Sequence, residues 1–228
     1  MDNEQRVKIA IVDYGLGNLF SIKRACEYVG MDTVISSDSK EILLSDAVIL
    51  PGVGAFGDAM GSLRRLDLVS PLKETALSGK YMIGICLGMQ LLMSESFEFG
   101  RHDGLDLVKG QVVRFNEPAD GKRALKVPSV GWRKISITEA GASSGSPLYG
   151  IDNGSYMYFV HSFYVKPSDS SIATSISRYG DIEFVSSLRE GNITGFQFHP
   201  ERSANTGIQI YRNLKDIIRK HTKGIKDV

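Results

Sequence analysis

The sequence predicts an α/β fold: a mostly parallel sheet flanked by helices, followed by an antiparallel or mixed strand-rich second half. Three observations carry that expectation. The first half alternates fully apolar, β-branched runs with helical patterns, as a parallel sheet covered on both faces requires. The second half breaks into short strand patterns separated by turn signals. No Pro-rich or Gly/Ser-rich linker and no internal repeat divides the 228 residues, so residues 1–228 read as a single domain.

The elements follow in order. VKIAIVD (residues 7–13) is an apolar run and reads as a buried strand. NLFSIKRACEYVG reads as a helix with Asn18 at its N-cap and Gly30 just past its end. Leu19, Ile22, Ala25, Cys26 and Val29 share one face of it, which makes Cys26 a small core hydrophobe. DTVISS, DAVIL (46–50) and YMIGI (81–85) read as the next three strands, with helical patterns over 55–66 and 68–78. Functional loops of such a sheet gather at the carboxyl ends of its strands. GQVVRF, WRKISIT, GSYMYFV, FYVKP, SIATSI, IEFVSSLR and NITGFQF then read as short strands, and EAGASSGSP (139–147) as a flexible surface loop. A helix over about residues 204–220, basic toward its end, closes the pattern.

Composition excludes several functions. Hydrophobic residues at 42% and charged residues at 23% argue against disorder. A formal net charge of +1 gives no nucleic-acid footprint. No apolar run approaches the roughly 18 residues of a membrane span. The start, MDNEQRVKIAIVDYG, is charged and enters a strand directly, unlike a signal peptide. The two cysteines, Cys26 and Cys86, are expected to be reduced and the protein cytoplasmic. No cluster with zinc spacing appears, so neither metal nor cofactor is expected.

Two stretches carry chemistry. In YMIGICLGMQLLM a strand runs into Cys86 and a helical pattern leaves it, with Gly84 and Gly88 on either side. This is the nucleophile-elbow arrangement with Cys in place of Ser. A helix start, with its exposed N–H groups, favours a thiolate. The alternative is a structural Cys between helix-packing glycines. In GFQFHPERS, His199 and Glu201 stand two apart at a strand end, where extended backbone points them to one side. The carboxylate then fixes the imidazole tautomer and leaves the other nitrogen free to take a thiol proton. A third stretch, ILPGVGAFGDAM, spells G-x-G-x-x-G through Gly52, Gly54 and Gly57. As a dinucleotide loop it follows the wrong strand, and the candidate acid, Asp67, lies in the charged RRLDL segment rather than at a strand end.

Together PGVGAF, GICLGMQ and QFHPE resemble the class I, triad-type glutamine amidotransferases. The likeness covers nearly the whole chain, through DYGLGNL, LPGVGAFGDAM, GICLGMQLL, GWR around Trp132, YFVHSFYV and GFQFHPERS. The resemblance implies the flavodoxin-like fold of that class. It implies Cys86 as nucleophile toward the carboxamide of L-glutamine, His199 as general base and acid, and Glu201 as orienter. It also implies backbone N–H groups of Val53 and Leu87 as the oxyanion hole, with Gly52, Gln90, His161, Ser162 and Phe163 binding substrate. Ammonia would pass to a (β/α)8 barrel synthase subunit, held as a heterodimer, that makes imidazole glycerol phosphate and AICAR in histidine biosynthesis. Asn18 and Trp132 would face that partner; an N-cap and a core tryptophan are their alternative readings.

The chain departs from the family at PSVGWR, where Ser129 and Arg133 stand for the usual His and Asn. Arg202 stands for the usual Lys. These positions leave open a related glutaminase serving a different barrel synthase, one that builds an acetamidino group. A cysteine peptidase of related fold and a nucleotide-binding module are the alternatives from other classes. By resemblance, the chain alone is expected to be a poor glutaminase.

Overall fold

The computed structural model describes residues 6–226, so the charged start at residues 1–5 lies outside the described residues. The first half runs β1 (Lys8–Val12), α1 (Leu19–Tyr28), β2 (Asp32–Ser36), α2 (Ser39–Leu44), β3 (Ala47–Leu50), α3 (Phe56–Arg65), α4 (Val69–Leu77) and β4 (Tyr81–Ile85). Every residue of β3 and β4 is buried, as strands covered on both faces must be. Then come α5 (Leu87–Leu91), β5 (Met93–Ser96), β6 (His102–Asp103), β7 (Val108–Arg114), β8 (Ala119–Asp120), β9 (Arg123–Ala124) and β10 (Ser129–Ile137). The chain continues through α6 (Glu139–Ala142), β11 (Tyr156–His161), β12 (Phe163–Pro167), β13 (Ala173–Tyr179), β14 (Ile182–Glu190), β15 (Ile193–Phe196) and α7 (Ala204–Lys226).

Nine strands form the main sheet in the order β11-β10-β13-β14-β15-β4-β3-β1-β2. From β15 to β2 the neighbours are parallel, in the doubly wound order of flavodoxin-like sheets. From β15 to β11 they are antiparallel. The strand β15 is the pivot: it runs parallel to β4 on one edge and antiparallel to β14 on the other. Its carboxyl end therefore emerges beside that of β4. A smaller sheet, β12-β7-β5-β6, meets the main one where β12 contacts β14.

Side-chain alternation divides the core into two layers. Ile9, Ile11, Ile49, Ile83 and Ile85 point to the face covered by Ile22, Cys26, Ile210, Tyr211 and Leu214 of α1 and α7. Ala10, Val12, Val48, Leu50 and Met82 point to the other face, covered by Phe56, Met60, Leu63 and Leu72 of α3 and α4. Among the described residues no helix is long and apolar enough to cross a membrane.

The structure corrects several local expectations. The sequence signal missed α2, whose start is capped by the Asp38 carboxylate accepting from Lys40 N at 2.8 Å. The helix after Cys86 lasts only five residues before the chain turns into β5. Segment 139–147 is not a loose loop. Its start forms α6, capped by the Thr138 hydroxyl accepting from Gly141 N at 3.2 Å. A Cβ on Gly141 would stand 2.0 Å from Thr174 O, so the segment lies directly on β13. Final helix α7 runs to Lys226, past the expected end.

Candidate active site

Cys86 joins β4 to α5 with φ 56° and ψ −112°, the conformation of the first central residue of a type II′ turn. A side chain pays a steric penalty there, so the surroundings must enforce it. Cys86 N donates to Phe196 O of β15 at 2.7 Å, and Gln90 N donates to Cys86 O at 3.3 Å. The flanking glycines make room. A Cβ at Gly84 would lie 2.7 Å from the Met89 backbone, and one at Gly88 would lie 1.8 Å from Leu50 O.

A similar close approach explains the first glycine of the G-x-G-x-x-G letters. A Cβ at Gly52 would meet the Tyr14 hydroxyl at 2.5 Å and Leu87 Cβ at 2.8 Å. Tyr14 pins this loop by donating to Pro51 O at 2.6 Å. The loop after β3 thus lies on the start of α5, and Gly52 serves that contact, while Gly54 is called for by its φ of +100°. Gly57 does more than open α3: a Cβ there would strike the His102 ring at 2.8 Å.

His199 follows β15, and its Nδ1 lies 2.8 Å from Glu201 Oε1. Both side chains are buried. Extended backbone does not align them, as the sequence reading supposed. A 3₁₀ turn over Pro200–Arg202 brings Glu201 back beneath His199. His199 N donates to Tyr158 O at 2.9 Å, and the Ser203 hydroxyl donates to His199 O at 2.7 Å, which fixes the turn. The carboxylate accepts a hydrogen bond from Nδ1–H, so Nε2 is the nitrogen left for chemistry. Nε2 is buried with no hydrogen bond of good geometry among the described residues. Burial opposes a charge on His199, but the adjacent Cys86 sulfur and the Glu201 carboxylate outweigh it and raise its pKa, so a proton taken from the thiol is held on the ring.

A cleft of about 250 Å³ opens beside the sulfur. Of the residues singled out by sequence, Val53, Cys86, Leu87, Gln90, His161, Ser162 and Phe163 line it. Gly52 lies beneath it, against Leu87. Asn18 and Trp132 are elsewhere. Asn18 stands at the N-cap of α1 without a side-chain capping bond. Trp132 is 50% exposed, which rules out the core reading, and meets Tyr158 edge-on. Ser129 is buried opposite His161 and accepts from Arg133 Nε at 2.7 Å, while the Arg133 guanidinium covers the Tyr179 ring. A larger hollow of about 990 Å³ lies at the amino end of β4, beside Tyr81 and α7, and contains none of these residues.

Sequence reasoning missed Gln197 and Glu98. Gln197 is fully buried, and its Nε2 points a donor at Cys86 Sγ at 3.8 Å. Gln90 Nε2 donates both to Gln197 Oε1 at 3.2 Å and to Phe163 O at 2.9 Å. Gln90 is therefore part of a buried amide relay as well as a cleft wall. Glu98 lines the cleft and accepts from Phe56 N at 2.6 Å; burial raises its pKa against that bond. Gln197 was legible in principle, as a polar residue in an otherwise apolar strand end. Glu98 sits in an aperiodic charged segment that gave no signal.

His161 donates from Nδ1 to Phe163 O at 2.8 Å inside a box of Phe115, Phe159 and Phe184. Burial first, with the Arg133 and His199 charges, lowers its pKa from 6.5 to about 4, so it is neutral near pH 7. Between those values the unfolded chain binds the proton and the folded chain does not. Stability from this group is therefore complete above pH 6.5 and is lost as pH falls toward 4, by up to about 3 kcal/mol. Urea unfolding at pH 4.5 and 7 should show a steeper loss for wild type than for His161→Asn, which keeps a donor near Nδ1. Equal losses would refute this.

A thiol raised on a strained turn next to a buried imidazole–carboxylate pair is equipped for covalent acyl transfer. Fold and site together define a triad-type thiol enzyme. The family model for glutamine amidotransferase class-I matches residues 10–215. The imidazole glycerol phosphate synthase subunit HisH of Rhodopirellula baltica is 45% identical over 206 residues, covering 90% of this chain and 96% of that protein. Its counterpart in Methanosarcina mazei is 46% identical over 213 residues, covering 92% and 98%. The chain belongs to the class I glutamine amidotransferase family and, within it, to the HisH subunits of imidazole glycerol phosphate synthase. Among solved structures, a chain of PurLQS from Thermotoga maritima superposes with a TM-score of 0.69 at 17% identity, covering 93% of this chain and 99% of that one. A structure titled glutamine amidotransferase gives 0.68 at 15%, covering 94% and 98%; both likenesses bear on the fold alone.

Proposed function

We propose that the chain hydrolyses L-glutamine to glutamate and ammonia through a Cys86 thioester, and delivers the ammonia to a synthase partner that makes imidazole glycerol phosphate and AICAR. The observation that carries this is Cys86 on its strained turn, with the buried His199–Glu201 pair behind it and a glutamine-sized cleft in front. His199 Nε2 takes the thiol proton, and the sulfur attacks the carboxamide carbon. The oxyanion is met by Leu87 N–H, one of the amides a helix start leaves unpaired, and by Val53 N–H across the cleft. The proton on His199 goes to the departing ammonia. Water then attacks the thioester, with His199 as base, and glutamate leaves. The Glu98 carboxylate in the cleft wall suits the substrate's α-ammonium group.

The partner is read as a (β/α)8 barrel subunit held in a heterodimer, docking over Asn18 and Trp132. The working unit is read as one cytoplasmic domain. The naming of the relatives favours this acceptor over an acetamidino-forming synthase. The test is ammonia release from glutamine by the chain with and without the imidazole glycerol phosphate synthase barrel. Addition of the barrel is expected to raise turnover by at least about tenfold. Equal rates with and without it would remove the proposed coupling.

A further inference from the structure

Behind the His199–Glu201 pair lies a set of buried groups that the mechanism above leaves unused. Glu201 commits Oε1 to His199 Nδ1. Its other oxygen, Oε2, is buried and has no hydrogen-bond partner among the described residues. A carboxylate oxygen stripped of water and left without a donor is costly, more so than a neutral acceptor. The turn carrying Glu201 packs against both α7 and α1. From α7, Tyr211 brings a fully buried ring whose hydroxyl is likewise unpartnered. From α1, Cys26 is fully buried in the same core layer. Burial first raises the pKa of both groups, followed by the Glu27 and Glu201 charges for Cys26 and by Glu201 and Cys26 for Tyr211. Each therefore stays protonated, a neutral donor within the field of Glu201. An O–H is a much better donor than an S–H, so the phenol is the stronger candidate of the two.

We infer that Tyr211 is a positioning residue: its O–H donates to Glu201 Oε2 in the reacting enzyme and fixes the plane of that carboxylate. One unpaired buried donor and one unpaired buried acceptor, carried on packed elements, satisfy each other in this way. A carboxylate held at both oxygens holds the His199 ring in the tautomer and orientation that face Cys86. The donation also spreads the carboxylate's charge and makes it a weaker base toward His199. Helix α7, otherwise a cover for one face of the sheet, thereby acts on the chemistry through a single hydroxyl. The inference rests on the proposed roles of His199 and Glu201.

The test is Tyr211→Phe, which removes the O–H and keeps the ring, assayed for glutamine hydrolysis with the synthase partner present. The expected result is a kcat about 5- to 20-fold below wild type with KM unchanged. The limb of the kcat/KM–pH profile that reports His199 is expected to move up by about half a unit to one unit, because the freed carboxylate is the stronger base. The His199 Nδ1 proton resonance is expected to move further downfield, a readout that needs no turnover. A changed melting temperature with unmoved profile and resonance would assign Tyr211 to packing alone and overturn the inference. Should the Phe variant not fold, Tyr211→Leu is measured the same way, and wild-type kinetics there overturn it equally. Failure of the functional reading itself looks different: the wild-type complex then releases no ammonia.

Discussion

Replacing Cys86 with alanine is expected to lower ammonia release from glutamine by about ten-thousandfold or more, with the fold retained. The residue is buried at 6% exposure, but it makes no bond through its side chain that the fold depends on. Besides the adjacent His199, its sulfur meets two groups at long range, Val160 O and Gln197 Nε2, each at 3.8 Å. The backbone geometry adds a second, sharper expectation. At φ 56° and ψ −112° any side chain is strained. Cys86→Gly should therefore unfold at higher urea than Cys86→Ala, by about 1 kcal/mol, opposite to the usual order in regular structure. Ammonia assays on wild type and Cys86→Ala, and urea curves for the Ala and Gly variants, decide both points. Turnover in Cys86→Ala near the wild-type rate would refute the thioester route.

Gly88→Ala is expected to be nearly as damaging by a different mechanism. The added Cβ would sit 1.8 Å from Leu50 O and 2.7 Å from Leu50 C. Both are backbone atoms of β3, a strand buried at every position, so no side chain can move aside. Either α5 or the loop after β3 must shift. The expected cost is about 3 kcal/mol or more of stability, since the overpacking is against backbone. The same shift separates Leu87 from Val53, the two proposed oxyanion donors, so any folded fraction should have a depressed kcat. Gly61→Ala is the control, because a Cβ there meets nothing within 4 Å. Similar melting temperatures for the two variants would show that the contact is softer than the backbone geometry implies.

Much of this molecule was legible as pattern. Apolar runs of β-branched residues marked β1, β3 and β4 because burial on both faces leaves no polar alternative. Gly84 and Gly88 around Cys86 marked the sharp strand-to-helix turn, and the close contacts at both glycines bear that out. The glycine-flanked Cys86 and the closely spaced His199 and Glu201 point to a nucleophile, a base and an orienter, the roles proposed above. Short elements escaped. The six residues of α2 and the four of α6 are set by caps and by packing, and carry too few turns to show a period.

Local pattern specifies the longer elements and the chemical types: which apolar runs are strands, where glycine is required, and which side chains could form a nucleophile, a base and an orienter. Spacing along the chain is a local property, and those features are local. What depends on distant segments meeting is set by the folded arrangement. It placed β15 beside β4, so that Gln197, 111 positions along the chain from Cys86, comes up against its sulfur. It made the His199–Glu201 contact with a 3₁₀ turn rather than extended backbone. It put Trp132 on the surface and buried Tyr211 on α7, the helix against which the turn carrying Glu201 packs. Packing and hydrogen bonding across the sheet set these relations, and no periodicity in one segment encodes its partner in another.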